Sequence, residues 1–256
     1  MTVRWAVADT WTLTGRALAH WARQPFVVGV AVLFPVLILL MFAYLLRGGY
    51  GSDYPEILVP GLLALTTVFG LETTMTAVVT DAQRGITTRF RSLPMSGAAV
   101  VGGRAVADLL HALVGLTVLM LSGWAIGWRV HTDVADFAAG VGLLVLLRFS
   151  MIWMGIYLGL VAGRPESVAA VQILVWPLGF LSNAFTDPAS MPGWLAVIAE
   201  WNPLSATAAA VRELFGNPGW GGDSWAATHA VELAVLWPVV LTAVFFPLAV
   251  AKYRFR

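Results

Sequence analysis

The chain has 256 residues, of which 59% are hydrophobic and only 11% are charged. Soluble domains carry about 25% charged residues, and one soluble core of this size could not bury so much apolar surface, so the composition predicts an integral membrane protein. The chain contains no cysteine, which excludes disulfides, thiolate metal sites and cysteine nucleophiles. Its net charge is +1, and because no basic run accompanies that charge we expect no nucleic-acid partner.

The first predicted element is an amphipathic helix over residues 2–24. Arg16, His20 and Arg23 fall on one face at helical spacing, and apolar residues such as Trp11 fall near another. A helix of this kind lies in the membrane interface and leads into the first span. The alternative is a solvated leader anchored by its tryptophans.

Six stretches that follow are apolar and close to the roughly 20 residues that a membrane-spanning helix requires. They are residues 25–46, 57–79, 104–127, 137–161, 168–187 and 228–251. Prolines inside them do not exclude helices, because neighbouring helices can satisfy the freed carbonyl groups. The predicted fold class is therefore an all-α integral membrane protein with these transmembrane helices.

Arginine and lysine indicate the orientation of this arrangement. Of the 15 basic residues, 11 fall on the side that holds both termini, three fall on the opposite side, and Arg148 lies within a span. Cytoplasmic loops carry the excess of basic residues in membrane proteins. We therefore predict that both termini are cytoplasmic.

Two charged residues lie inside the predicted spans, Glu72 in the second and Arg148 in the fourth. Charges within a membrane are costly and point to a function, usually with a partner. From the helical rise, Glu72 lies about 22 Å and Arg148 about 17 Å along spans that run in the same direction. We hypothesise a Glu72–Arg148 ion pair, within a chain or across a dimer, that locks two helices together or acts in substrate handling or conformational switching. The alternative is that each side chain snorkels separately.

The longest connection predicted on the cytoplasmic side is residues 80–103, between the second and third spans. Arg84 and Arg91 fall at helical spacing, Phe90 falls on another face, and Pro94 ends the predicted helix. A short helix with basic and apolar residues facing the cytoplasm suits docking into another protein. The alternative is a loop whose arginines only fix the topology.

Residues 188–216, between the last two spans, contain two apolar stretches that are too short to cross the membrane. These stretches are residues 191–201 and 204–215, and Asn202 and Pro203 separate them. The pattern predicts two short helices on, or dipping into, the outer leaflet. The alternative is a surface loop with two amphipathic turns.

The connection between the second and third spans resembles the signature of ABC-2 type transport permeases, most closely the daunorubicin-resistance branch found in actinobacterial drug exporters. The residues that carry this resemblance are Asp81, Arg84, Gly85, Arg89, Arg91, Ser92, Leu93, Pro94, Met95, Ser96, Gly102, Gly103, Arg104, Asp108 and Leu109. One departure is Gln83, which stands where the family frequently has glutamate. The resemblance extends over essentially the whole chain and indicates the superfamily rather than the substrate.

This resemblance implies a single ABC-2 type transmembrane domain over residues 1–256, with an amphipathic helix in 1–24, a coupling segment in 80–103 and an outer re-entrant hairpin in 188–216. In the family, the coupling segment sits in a groove of a separate ATPase subunit. The residues assigned to that contact are Asp81, Arg84, Gly85, Arg89, Phe90, Arg91, Leu93 and Pro94. The resemblance also implies two ATPase copies that bind ATP and magnesium, a second permease copy that is identical or related, and no cofactor in this chain.

The residues indicate no catalytic site. A phosphate-binding P-loop needs a lysine within its glycine-rich motif, and the only lysine is Lys252, near the C-terminus. We therefore expect ATP hydrolysis on a partner chain. The four histidines lie in different segments without a carboxylate cluster, so we expect neither a metal site nor enzyme activity.

Two functions are consistent with these features. The first is the permease subunit of an ATP-driven exporter that moves a hydrophobic or amphiphilic compound, such as a drug, an antibiotic or a lipid-like product, out of the cell; this depends mainly on the family resemblance. The second is a self-sufficient membrane protein, either a secondary transporter that uses Glu72 for protons or a scaffold. Internal symmetry would favour the second, and the two halves show no convincing repeat.

Overall fold

The structure, a computed structural model, describes residues 3–23, 25–45, 54–85 and 97–255. Its helices are α1 (Val3–Ala22), α2 (Pro25–Leu45), α3 (Tyr54–Gln83), α4 (Gly97–Ala125), α5 (Val134–Ala162), α6 (Pro165–Phe180), α7 (Gly193–Glu200), α8 (Pro203–Phe215), α9 (Trp225–Thr228) and α10 (Ala230–Phe255), with a 3₁₀ turn at Pro188–Ser190. Within these residues there is no β-strand, so the described part of the chain is all-helical.

Five of the described helices, α2, α3, α4, α5 and α10, are long and apolar enough to cross a membrane. Helix α6 covers most of the expected fifth span but has only 16 residues, which is about 24 Å of helix against a hydrocarbon core of about 30 Å. The expected span of residues 168–187 is therefore not one continuous helix. It ends early because the Asn202 side chain donates to the carbonyl oxygens of Leu178 (2.8 Å) and Leu181 (2.9 Å), where the next turn of helix would form its own bonds.

Local sequence explains where several helices begin and end. Asp133 precedes α5, and its carboxylate accepts from the backbone N–H of Asp136 at 2.9 Å, as N-cap residues do. Asn202 caps α8 in the same way. Gly163 and Gly216 follow α5 and α8 with φ of 65° and 67°, a left-handed conformation that glycine adopts without steric cost at helix C-termini.

Glycines allow two helix pairs to pack closely. On α5, a Cβ added at Gly155 would lie 2.8 Å from the backbone oxygen of Leu71 on α3. On α4, a Cβ added at Gly103 would lie 2.8 Å from the Cβ of Leu13 on α1, and Thr14 Oγ1 donates to the Gly103 carbonyl at 3.2 Å. Small residues at such positions let helix backbones approach each other, so these glycines allow α3 to pack closely against α5 and α1 against α4.

An arginine marks each end of the helix bundle. At the Arg104 end lie α1, the end of α3, the start of α4 and the ends of α5 and α10. At the Arg212 end lie the start of α3, the ends of α4 and α6, and α8. Helices α3, α4, α5 and α10 each run from one end to the other, while α6 leads from the Arg104 end toward the Arg212 end.

Candidate functional site

A cavity of about 760 Å³ lies at the Arg104 end, between α1, α3 and α4 and the last turns of α5 and α10. Much of its wall is apolar and comes from several helices, with Leu13 and Trp21 from α1, Val101 from α4 and Ile156 from α5. This volume is within the range of about 300–1,000 Å³ that pockets for drug-sized molecules occupy. The cavity is therefore the candidate binding site of the molecule.

One face of α3 supplies the polar side of this cavity. Glu72, Thr76, Thr80 and Arg84 recur every four residues and so lie along one side of the helix. They extend about 18 Å along the helix axis. Arg84 is exposed, whereas Glu72 is only 8% exposed, so the carboxylate is the more enclosed of the two charges.

Beside the cavity, charged and hydroxyl side chains join three helices in what we call the Arg104 network (Thr74, Asp81, Arg104, Asp108 and Arg148). Arg104 on α4 places Nη1 2.9 Å from Asp81 Oδ2 on α3 and Nε 3.3 Å from Asp108 Oδ1 on its own helix. Thr74 Oγ1 on α3 donates to Asp108 Oδ2 at 2.7 Å. The same hydroxyl accepts from Arg148 Nη2 on α5 at 3.2 Å.

Gly70 makes room for Arg148, the most enclosed charge of this network. The arginine is 4% exposed, and a Cβ at position 70 would overlap its guanidinium group. Arg148 Nε and Nη1 have no hydrogen-bond partner within the described structure. The cation is therefore stabilised mainly through Thr74 and the nearby carboxylate of Asp108.

The expected Glu72–Arg148 ion pair is not formed within the chain, among the residues that the structure describes. Glu72 Oε2 instead accepts from Gln172 Nε2 on α6 at 3.0 Å. The reason is rotation about the helix axis: residues 72 and 74 are two positions apart, about 200° around α3. Arg148 reaches the side of α3 that carries Gly70 and Thr74, while Glu72 faces α6. A pair across a dimer stays a prediction.

The structure describes only the first three of the eight residues predicted to contact an ATPase. Asp81 lies in the last turn of α3 and binds Arg104, and Arg84 follows that helix and lines the cavity. Gly85, with φ of 66°, ends the element. The remaining residues of that prediction, which lie outside the described ranges, are Arg89, Phe90, Arg91, Leu93 and Pro94.

Comparison with known proteins gives the chain a family. Residues 8–215 match the family described as ABC-2 type transporter. The chain belongs to the ABC-2 type transporter family. This membership confirms the resemblance carried by the connection between the second and third spans, and with the five long apolar helices it makes the chain a multi-pass membrane protein.

Named relatives of this ABC-2 transporter are permeases. The daunorubicin resistance ABC transporter permease protein DrrB1 of Streptomyces coeruleorubidus is 34% identical over 253 residues, covering 97% of this chain and 87% of the relative. The probable doxorubicin resistance ABC transporter permease protein DrrC of Mycobacterium tuberculosis is 25% identical, covering 80% and 76%. The probable multidrug ABC transporter permease YbhR of Escherichia coli is 23% identical, covering 79% and 53%.

Arg212, to which sequence reasoning assigned no role, organises the opposite end of this ABC-2 transporter. It lies on α8 and is 1% exposed. Its Nε donates to the carbonyl oxygen of Ile57 at 3.0 Å, and its Nη2 donates to those of Asn183 (3.0 Å) and Ala184 (3.1 Å). One side chain therefore joins α3, α8 and the turn after α6, and nothing in the local sequence distinguishes it from an exposed arginine.

The role of Arg104 in the site was also not predicted, although the sequence contains a signal for its ion pair with Asp108. Arg104 and Asp108 are four residues apart on a predicted helix, the spacing at which opposite charges meet. His111, three residues after Asp108 on the same helix, places its ring 4.5 Å from that of Trp21, edge to face. In the described ranges, no group of three or more His, Asp or Glu side chains could hold a metal ion.

Proposed function

We propose that this chain is the permease subunit of an ATP-driven exporter that moves a hydrophobic or amphiphilic compound, such as a drug, an antibiotic or a lipid-like product, out of the cell. The observation that supports this most directly is the 34% identity over 97% of the chain to a protein named a daunorubicin resistance permease. The cavity, with its apolar wall and charged face, supports cargo of this kind.

We further propose six membrane crossings with the Arg104 end in the cytoplasm. Helix α1 and the last turns of α10 both lie at that end, and a chain whose two ends share a side crosses an even number of times. Five described helices are long enough to cross, so α6 with the residues after it supplies the sixth crossing. The excess of basic residues predicted on the side of the termini supports the orientation.

Two further elements fit this arrangement. Helix α1 leaves Trp11 71% exposed, which supports a helix lying in the cytoplasmic interface. Helix α8 is largely buried, while α7 exposes Trp194 and Val197. This contrast supports a re-entrant hairpin over residues 188–216 that covers the Arg212 end and presents its apolar side to the outer leaflet.

Energy would come from a separate ATPase. The only lysine, Lys252, lies outside any glycine-rich phosphate-binding motif, so ATP and magnesium would bind to a partner chain. By analogy with the family, two ATPase copies would supply these sites, and a second permease copy would complete the path. Residues 80–103 connect α3 and α4, the two helices whose ends flank the cavity. Movement of that connection by an ATPase would therefore act directly on the cavity wall.

Capture of a partner ATPase tests this function. The tagged chain is co-expressed with an ABC ATPase from the same genome, purified in detergent and assayed for bound ATPase. We expect stable capture that the double change Arg89→Glu and Arg91→Glu abolishes, because it reverses the charge of the proposed contact. The matched control is Arg129→Glu, which changes an exposed arginine at the Arg212 end. Proton-driven transport by the purified chain alone would contradict the proposal.

A further inference from the structure

We propose that the cavity at the Arg104 end is a binding site for an organic cation with an apolar body, and that the carboxylate of Glu72 receives the cationic group. This inference rests on the proposed function, because it gives the chemistry of the cargo in that cavity. It gives Glu72 a role, as the binding partner of a cationic group, that does not follow from membership of the family.

Charge balance singles out Glu72. Three carboxylates line the cavity, those of Glu72, Asp81 and Asp108. The two aspartates are balanced inside the protein by Arg104, which binds both, and by Arg148, which reaches Asp108 through the Thr74 hydroxyl. Glu72 has no ion pair among the described residues. Within the described ranges it is therefore the one carboxylate of the cavity that lacks a cation.

The surroundings of Glu72 make a carboxylate without a cation energetically costly. The residue is 8% exposed, and only its Oε2 atom has a partner, the side-chain amide of Gln172 at 3.0 Å. Its Oε1 atom has no hydrogen-bond partner in the part of the chain that the structure describes. Burying a charge without a partner costs free energy that a paired charge recovers, so a cation that enters the cavity is stabilised by this carboxylate, and Gln172 holds the carboxylate in position.

The rest of the cavity suits the apolar body of such a ligand. Leu13, Val101 and Ile156 contribute apolar surface to its wall, and the volume of about 760 Å³ accommodates a drug-sized molecule. Arg16, Arg23 and Arg84 also line the cavity but are exposed, so water and salt screen their repulsion of a cation. The enclosed carboxylate of Glu72 is screened much less and governs selectivity.

A direct binding measurement on the full chain in lipid nanodiscs, without ATPase or ATP, tests the proposal. The probe is a dansyl fluorophore on an octyl chain that ends in an ammonium group, and the matched probe ends in a hydroxyl group; empty nanodiscs provide the blank. We expect the chain to bind the ammonium probe about tenfold more tightly or better. Glu72→Gln, which keeps the shape and the bond to Gln172, should remove this preference without weakening the hydroxyl probe. Glu232→Gln, the same change at an exposed position, should leave the preference intact.

A second variant keeps the test decisive if Glu72→Gln does not fold. Thr76 is exposed, lines the cavity and lies one helical turn after Glu72, so Thr76→Lys places a built-in ammonium beside the carboxylate and should abolish the preference for the ammonium probe. The proposal is overturned if the wild-type chain shows no preference, as it would if Glu72 were protonated or paired across a dimer, or if both variants keep it. ATPase capture and ATP-driven transport are measured separately, so the proposed function can survive that result.

Discussion

At the scale of single residues, the hydroxyl of Thr74 connects two buried charges. Its hydrogen is donated to Asp108 at 2.7 Å and its oxygen accepts from Arg148 at 3.2 Å. Arg148 is 4% exposed and Asp108 is 6% exposed, so neither can turn to water if the hydroxyl is lost. Loss of the hydroxyl would leave Arg148 without its hydrogen bond to Thr74, whereas Asp108 would keep its ion pair with Arg104. Buried polar groups left without partners are costly, so the Thr74 hydroxyl stabilises the contact between α3 and α5.

Thr74→Val should therefore destabilise the protein. The change keeps the shape of the side chain but removes a donor and an acceptor, and we expect a loss of about 1–3 kcal/mol in the free energy of unfolding. Thr73→Val is the matched control, because the Thr73 hydroxyl donates only to the Gly70 carbonyl of its own helix and is exposed. Thermal unfolding in detergent measures both. Equal effects of the two changes would show that the bonds of Thr74 to Asp108 and Arg148 contribute no stability.

The site was predictable from sequence in its residues more than in its contacts. A charge in an apolar stretch is visible in the sequence, and so Glu72 and Arg148 could be recognised. Their partners could not, because depth along a helix follows from counting residues, whereas the direction of a side chain depends on how neighbouring helices are rotated. Gln172, the partner of Glu72, is 100 residues away, and no local spacing indicates that contact.

At the scale of helices, the short element α6 and the contact of α1 with α4 mark the limits of sequence reasoning. Apolar length predicted the long helices, and α7 and α8 lie where two short ones were expected. The early end of α6 depends on the side chain of Asn202, which acts from another element. The face by which α1 packs depends likewise on Gly103, a residue of α4. Composition indicates that a helix has apolar surface to bury, whereas the neighbouring helices determine which of its faces is buried.

The contact of α1 with α4 predicts a specific disulfide. A Cβ added at Gly102 would lie 3.6 Å from Oγ1 and 3.8 Å from Cγ2 of Thr10, the two atoms bonded to the Thr10 Cβ. The two Cβ atoms are therefore about 4–5 Å apart, close to the separation of about 3.5–4.5 Å between the Cβ atoms of bonded cysteines. We expect the pair Thr10→Cys and Gly102→Cys to form a disulfide under mild oxidation, detected by mass spectrometry of the linked peptides. The chain has no native cysteine, so there is no competing thiol.

The control for this disulfide is the pair Trp11→Cys and Gly102→Cys. Trp11 is 71% exposed and points about 100° away from its neighbour on the helix, so this pair should remain reduced. If both pairs cross-link to the same extent, α1 is mobile over α4 and does not form a fixed wall of the cavity.

At the scale of the whole molecule, the two ends differ in how they are packed. At the Arg212 end, Arg212 binds three backbone carbonyls, and Trp128 Nε1 donates to Asn217 Oδ1 at 2.8 Å, so this end is closed by buried polar bonds. At the Arg104 end there is the cavity of about 760 Å³. The Arg104 end therefore has room for a ligand, whereas buried hydrogen bonds occupy the Arg212 end.

The six-crossing arrangement predicts where single cysteines are accessible. Glu166 precedes most of α6 at the Arg104 end, while Ala189 and Asp223 lie on either side of α7 and α8 at the Arg212 end; all three are exposed. Because the chain has no native cysteine, Glu166→Cys, Ala189→Cys and Asp223→Cys can each be labelled separately. In intact cells, a membrane-impermeant maleimide should label the second and third variants and leave the first unlabelled until the membrane is permeabilised.

The comparison between these three positions separates the possible roles of α6 and of the hairpin. If α6 stayed on one side of the membrane, Glu166→Cys and Ala189→Cys would label together, and α10 alone would return the chain to the wrong side. If α7 and α8 crossed instead of re-entering, Ala189→Cys and Asp223→Cys would label on opposite sides. Only a crossing α6 followed by a non-crossing hairpin separates the first position from the other two, and that pattern also brings the end of α10 back to α1, as the shared cavity lining requires.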